Sequence, residues 1–245
     1  VYPLCTLFTV CFHQSKLPQV WLDADVVPVY KGKGSCYEVN NYRPVSLTSV
    51  ICKVMERCVK ERVYGFLNTN GLISEKQHGF VSGKSTLTNL LECCNYWINE
   101  LQAGKRVDVV YFDLTKAFDL VVHDKLVNKC HAYGLRGNLL AYLSAFLSNR
   151  RQRVKIGNYF SDWLPVTSGV PQGSVLGPLL FAIYINDVAE SFAYSSVEIF
   201  ADDVKASIGH KEAFPSPGLQ RDINSYASWC EDWQLEFNPN KSVIL

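Results

Sequence analysis

Two apolar, β-rich runs that stop on carboxylates constrain this chain most. Residues 107–112 end at Asp113, and 197–201 and 204–208 form two short strands joined across Asp202-Asp203. Runs of this kind, bounded by turn residues, read as strands. Carboxylates at the ends of adjacent strands converge in space however far apart they lie in sequence. Around these runs the period is helical. Val50, Ile51, Val54, Met55, Cys58, Val59, Val63 and Phe66 recur at helical spacing and predict a helix over 49–67. A second helix begins after Ser85, a suitable N-cap, runs to about Leu101 and is closed by Gly104. Helical patterns resume from Asp124, after Pro178, and over 219–233. A short strand is expected at 25–29 before a loop at 31–35. Residues 152–156 and 159–164 flank Gly157-Asn158 as a hairpin. Strands and helices alternate without strict β-α-β repetition, so the fold class is mixed α/β (α+β).

Composition narrows the partners. With 48% hydrophobic and 19% charged residues, the 245-residue chain is neither disordered nor collagen-like, and it is long enough for a sizeable core. The net charge of +1 predicts no nucleic-acid partner by itself, but the charge is unevenly spread. Residues 1–106 carry 12 basic and 8 acidic side chains, and residues 107–245 carry 12 and 15. A partner gripped by the first region and acted on by acids in the second fits this distribution. Arg150, Arg151, Arg153 and Lys155 bunch on the predicted hairpin, where phosphate-backbone contact and a solvated hairpin both account for them. The nine cysteines are odd in number and contain no C-x-x-C pair. That argues against a zinc site or a disulfide framework and fits small buried residues in a reducing compartment. No apolar run approaches the roughly 18 residues of a membrane helix, so no membrane partner is expected. The apolar first twelve residues lack a basic leader. Met55 is the only methionine, so Val1 is no initiator and the chain reads as a fragment of something longer. The expected location is intracellular, nuclear or cytoplasmic, and not secreted.

The acids suggest chemistry. Three carboxylates brought together repel unless a hard divalent cation neutralises them, and Mg²⁺ suits an all-oxygen ligand set. Two such ions can activate an attacking hydroxyl and neutralise a leaving pyrophosphate, which is the phosphoryl-transfer solution. An isolated Asp-Asp pair is more often a surface turn, so the flanking residues decide. They read Tyr111-Phe112-Asp113-Leu114-Thr115-Lys116-Ala117-Phe118-Asp119, then Gly169-Val170-Pro171-Gln172-Gly173-Ser174-Val175-Leu176-Gly177-Pro178, then Phe200-Ala201-Asp202-Asp203. In this order the blocks resemble successive palm motifs of reverse transcriptases. Asn41-Tyr42-Arg43-Pro44-Val45-Ser46-Leu47, Gln77-His78-Gly79-Phe80, and Trp229-Cys230 with Asn238-Pro239-Asn240-Lys241-Ser242 resemble the flanks of the non-LTR (LINE-like) retrotransposon branch.

The resemblance covers nearly the whole chain and carries expectations. It implies a right-hand polymerase fold with a small antiparallel palm sheet backed by helices. Fingers would comprise 1–106 and 134–168, and palm 107–133 and 169–245, with the thumb following Leu245. Asp113, Asp202 and Asp203 would hold two Mg²⁺ ions, or Mn²⁺. Phe118 would be the aromatic gate against a 2′-hydroxyl, and Gln172 and Gly173 would line the nucleotide and template pocket. Arg43 would contact triphosphate or template, and Lys241 would assist pyrophosphate departure. The partners would be an RNA template, a DNA primer and deoxynucleoside triphosphates. Leu120 departs from the family's usual Thr or Ser, while His123 falls where a histidine is common. The alternative is a catalytically inactive element remnant that only binds nucleic acid. Gly83-Lys84-Ser85-Thr86 resembles the end of a P-loop, but position 78 is His where that motif needs glycine, which removes the rival.

Overall fold

A computed structural model describes residues 2–211, 216–238 and 242–245. In chain order the elements are α1 (Tyr2–Gln14), α2 (Gln19–Leu22), β1 (Asp23–Tyr30), β2 (Tyr42–Leu47), α3 (Val50–Thr69), α4 (Thr86–Gln102), β3 (Arg106–Phe112), β4 (Leu114–Thr115) and α5 (Ala117–Leu120). There follow α6 (His123–Ala132), α7 (Gly137–Leu147), β5 (Arg151–Ile156), β6 (Tyr159–Phe160), β7 (Leu164–Pro165), α8 (Gly177–Tyr184), β8 (Ser196–Phe200), β9 (Asp203–His210), α9 (Pro217–Trp233), β10 (Glu236–Phe237) and β11 (Val243–Ile244). The mixed α/β class and the main predicted helices and strands are present. The amphipathic reading did not anticipate α1, or β2, which the Pro44 ring disguises. Proline is tolerated there because β2 lies at the edge of its sheet, paired only to β1.

The chain forms two compact units, each from two segments: Val1–Leu67 with His123–Leu180, and Asn68–Val122 with Phe181–Leu245. In the first unit, β2-β1-β5-β6 form a sheet with β7 also on β5, and the β1–β5 pair is parallel. Its core includes Trp21, Cys52, Val59, Tyr142, Phe146 and Leu147, all at most 5% exposed. The buried face of α3 is Cys52, Met55, Glu56, Val59, Val63 and Leu67. The broader stripe read from sequence included Val50, Ile51 and Val54, which are exposed. Several apolar residues there satisfy helical spacing, and only packing selects which face is covered.

In the second unit, β11-β3-β9-β8 form an antiparallel sheet, and β10 pairs with β4. Alternation along β9 sends Lys205, Ser207 and Gly209 toward α4, where Trp97 Nε1 donates to Ser207 Oγ at 2.8 Å. The opposite face meets α9: Phe112 on β3 lies 4.4 Å, ring to ring, from Tyr226, with Phe192 and Phe237 completing the cluster. Ser85 caps α4 as expected. Its Oγ accepts from Thr88 N–H, and Thr88 Oγ1 accepts from Ser85 N–H, so two orphan donors are satisfied reciprocally.

The entry to β8 is held by a buried carboxylate. Asp222 of α9, 1% exposed, accepts from the backbone N–H groups of Ala193 (2.9 Å), Tyr194 (3.1 Å) and Ser195 (2.7 Å). Removing it strands three donors near the core. Asp222→Ala should therefore lower stability by about 3 kcal/mol or more, read as a reduced urea midpoint, and Asp222→Asn should lose less.

Candidate active site

The sheet of the second unit delivers the three acids to one end. β3 and β9 pair along their length, with Phe112 opposite Val204, so Asp113, the next residue, leaves the sheet at the end where β9 begins. The strand stops there because other groups take its backbone: Asp113 N–H donates to Ser242 Oγ at 3.3 Å, and its carbonyl accepts from Asn238 N–H at 2.9 Å. The hairpin corrects the expected turn by one residue. Phe200 pairs with Asp203, so Asp203 is the first residue of β9 and the turn is Ala201-Asp202. Ala201 has φ of +54°, a conformation that normally selects glycine at the first central position of a two-residue hairpin loop.

The electrostatics are those of anions crowded together. Burial pushes the Asp202 carboxyl above its ordinary value, and the charges of Asp203 and Asp113 add to the rise. Partial burial and the Asp113 charge raise Asp203 as well, against a smaller opposing effect of Lys205. Oxygen donors that repel one another at one end of a sheet carry charge that a hard divalent cation would neutralise. Among the described residues, the group of metal-type donors whose ligand atoms lie within 4.8 Å of one another is His78, Glu92 and Glu198, not the three aspartates. Glu198 there already meets Lys76 Nζ at 2.8 Å and His78 Nε2 at 3.2 Å.

The remaining sequence-predicted residues divide between the two units. Phe118, on α5 of the second unit, is partly exposed; it stacks on Phe181 at 4.1 Å and meets Phe80 edge-on at 6.3 Å. The stack fixes one face of the ring and leaves part of it accessible. In the first unit, Arg43 is exposed on β2, and the loop carrying Gln172 and Gly173 lies against the same strand. Ser46 N–H donates to the Gln172 carbonyl at 2.7 Å. Gly173 has φ of +119°, and a Cβ there would come within 2.5 Å of the Ser46 carbonyl oxygen, so only glycine fits. Lys241 lies outside the described residues.

The basic cluster of the hairpin is largely neutralised within its own unit. The parallel register sets Asp23 opposite Arg151 and Asp25 opposite Arg153. Arg151 forks onto Asp23 at 2.7 and 3.0 Å, and Arg153 meets Asp25 at 2.7 Å. The Arg151 bond holds the Asp23 carboxyl below the usual carboxylate range. Arg153 also lies over the Phe160 and Trp163 rings, and Arg150 is buried, donating to the Phe146 carbonyl at 3.0 Å. Of the four, Lys155 alone has neither a carboxylate partner nor burial among the described residues, so most of the cluster's charge is engaged within the protein.

Two positioning groups escaped the sequence reading. Glu56 is fully buried and accepts from Val175 and Leu176 N–H at 2.7 and 2.9 Å, holding the start of α8 behind Gln172 and Gly173. Its signal was a charged residue inside the Cys52-Val59-Val63 stripe. The other is Gln77, which the sequence places in the Gln77-His78-Gly79-Phe80 motif without indicating a role.

Three acids, two partly buried and Asp203 exposed, stand at the end of a helix-backed antiparallel sheet. The family described as reverse transcriptase (RNA-dependent DNA polymerase) matches residues 30–245, and the chain belongs to it. Members of this family use divalent metal ions. Among its relatives, the probable RNA-directed DNA polymerase from transposon BS of Drosophila melanogaster is 28% identical, covering 98% of this chain and 27% of its own length. The RNA-directed DNA polymerase from mobile element jockey of the same species is 26% identical, covering 97% of this chain and 27% of its own. Both relatives are polymerases of mobile elements, and the chain spans about a quarter of their length. The solved telomerase from Candida albicans, in complex with a TWJ fragment of telomeric RNA, shares the fold. Its TM-score is 0.66 at 12% identity, over 98% of this chain and 45% of that one.

The raised acids have a measurable consequence. Their folded values exceed their unfolded ones, so without a cation they destabilise the fold in full above the raised values, and the cost fades as pH falls from those values towards the ordinary carboxylate value of 3.8, below which it is gone. Asp202→Asn removes one charge. In chelator at neutral pH it should raise Tm by about 2–4 °C, the change that about 1 kcal/mol carries in a chain this size. Scanning calorimetry should find that gain shrinking as pH falls.

Proposed function

We propose that this chain is the catalytic core of a retrotransposon's RNA-directed DNA polymerase, adding deoxynucleotides to a primer 3′-hydroxyl along an RNA template. The observation that carries the reading is the convergence of Asp113, Asp202 and Asp203 at one end of the β3-β9-β8 sheet. These three side chains would hold two Mg²⁺ ions, or Mn²⁺. When bound, the ions would supply charge neutralisation at the α-phosphate and the leaving pyrophosphate. The chain's own residues do the rest. Asp113 and Asp202 stand at the same end of the sheet, on backbone that Asn238, Ser242 and the hairpin hold. Phe118, pinned by Phe181, would press against C2′ and leave no room for a hydroxyl. Gly173 brings the backbone close to the nucleotide and template, and Gln172 lines that pocket. The exposed guanidinium of Arg43 would fork onto triphosphate or template oxygens. Lys241 would neutralise or protonate the departing pyrophosphate.

Fingers (1–106 and 134–168) and palm (107–133 and 169–245) are drawn by role toward the substrates, separately from the packing that makes the compact units. The substrates place the reaction in the nucleus or cytoplasm.

Primer extension tests the reading. With an RNA template, an annealed DNA primer, deoxynucleotides and Mg²⁺, the chain should extend the primer, and Asp202→Asn should abolish extension. Duplex binding without extension would instead identify an inactive remnant, or a core that needs its thumb. The extension rate should fall steeply with salt. Phe118→Val should raise ribonucleotide incorporation by about 10-fold or more, the scale set by removing a steric block. Unchanged sugar discrimination in that variant would remove Phe118 from the gate.

A further inference from the structure

We propose that Gln77 is a positioning residue for Asp202: its side-chain amide oxygen holds the strained turn on which that carboxylate stands. Gln77 is 1% exposed. Its Oε1 accepts from Gly79 N–H at 2.6 Å and from Ala201 N–H at 3.0 Å. Both neighbours are N–H donors, so the amide orientation is decided: oxygen faces them. A side chain that merely filled space here would need no polar atom, and an apolar one would strand both donors away from water.

The segment carrying Gln77 is fastened to the hairpin like an extra strand. Ile199 N–H donates to the Lys76 carbonyl at 2.9 Å, and His78 N–H donates to the Ile199 carbonyl at 2.8 Å, as one short parallel bridge. The flanking side chains reinforce it, since Lys76 and His78 both reach Glu198 on β8. This places Gln77 two residues from the turn that it grips. Ala201 pays for the turn with φ of +54°, and such a conformation persists only where the surroundings over-determine it. Gln77 Oε1 is the group that does so, because it takes the N–H of the strained residue itself. The approach also explains a glycine. A Cβ on Gly79 would fall on the Ala201 nitrogen and within 3.0 Å of Gln77 Oε1, so any larger residue pushes the turn away. Losing the grip would let Ala201 relax and carry Asp202 with it. A ligand displaced on that scale weakens cation binding and misaligns the reacting groups.

The catalytic consequence rests on the polymerase reading; the positioning itself does not, and the experiment separates them. Three quantities are measured on the 245-residue chain. They are Ala201 amide exchange by NMR, Mn²⁺ affinity by electron paramagnetic resonance, and the single-turnover extension rate beside the duplex Kd. Gln77→Met should speed Ala201 exchange by about 10-fold and weaken Mn²⁺ binding by about 10–100-fold, with a matching loss of extension rate and an unchanged duplex Kd. Gln77→Glu keeps the acceptor and should restore Ala201 protection. Gly79→Ala should reproduce the losses with Gln77 in place, and it carries the test if Gln77→Met does not fold. Ala201 exchange and Mn²⁺ affinity within about two-fold of the parent in the folded variants would overturn the proposal. A parent chain that binds Mn²⁺ but does not extend a primer would be an inactive remnant or a core that needs its thumb, and the exchange and affinity results alone would then decide the role of Gln77.

Discussion

The pairing of β3 with β9 is the constraint from which the rest of the second unit follows. Phe112 lies opposite Val204, so the chain leaves one strand at Asp113 and enters the other at Asp203, at the same end of the sheet. Side chains on a strand alternate between faces. A slip of one residue would therefore turn Phe112 away from Tyr226 and lift Val204 and Ala206 out of the core, while carrying Asp113 away from its partners. The aromatic cluster around Tyr226 and the acid end of the sheet are thus two consequences of one register. Core packing on α9 pins the geometry that the carboxylates need.

Holding anions together works against stability, and the structure offsets it with buried polar side chains that grip backbone. Asp222 takes three N–H groups before β8, Gln77 takes one at the turn after it and one from Gly79, and Glu56 takes two at the start of α8. Each is nearly inaccessible to water, where a hydrogen-bonded acceptor costs little and an unmet donor costs much. Loops that carry chemistry cannot be held by regular ladders, because their backbone must depart from strand or helix geometry. A side-chain acceptor reaching in from a neighbouring element is the remaining way to satisfy them. The strained Ala201 and the close-packed Gly173 are found at such places.

Much of this was legible along the chain. The apolar runs ending on Asp113 and flanking Asp202-Asp203 announce strands whose polar ends stay near water, and Ser85 announces a helix start, because these are local properties of strand period and cap chemistry. The hairpin turn was misplaced by one residue because an alanine at positive φ gives no signal in sequence. The α3 stripe was drawn too wide because helical spacing marks several candidate faces. The ion pairing of the basic cluster was illegible for a different reason. The cluster's partners Asp23 and Asp25 meet it through a parallel β1–β5 pair, which joins residues more than a hundred positions apart.

What the sequence alone determined is therefore the inventory and its order: the mixed α/β class, the reverse transcriptase motifs, and the acids that end strands. Period, capping and motif spacing are set by near neighbours and survive without knowledge of the fold. Only the tertiary structure decided which charges are spent inside the protein, which helix face is buried, and which distant acceptor holds the Ala201-Asp202 turn. Those outcomes depend on backbone register between remote segments, and a hydrogen bond of about 3 Å forms or fails on that register alone.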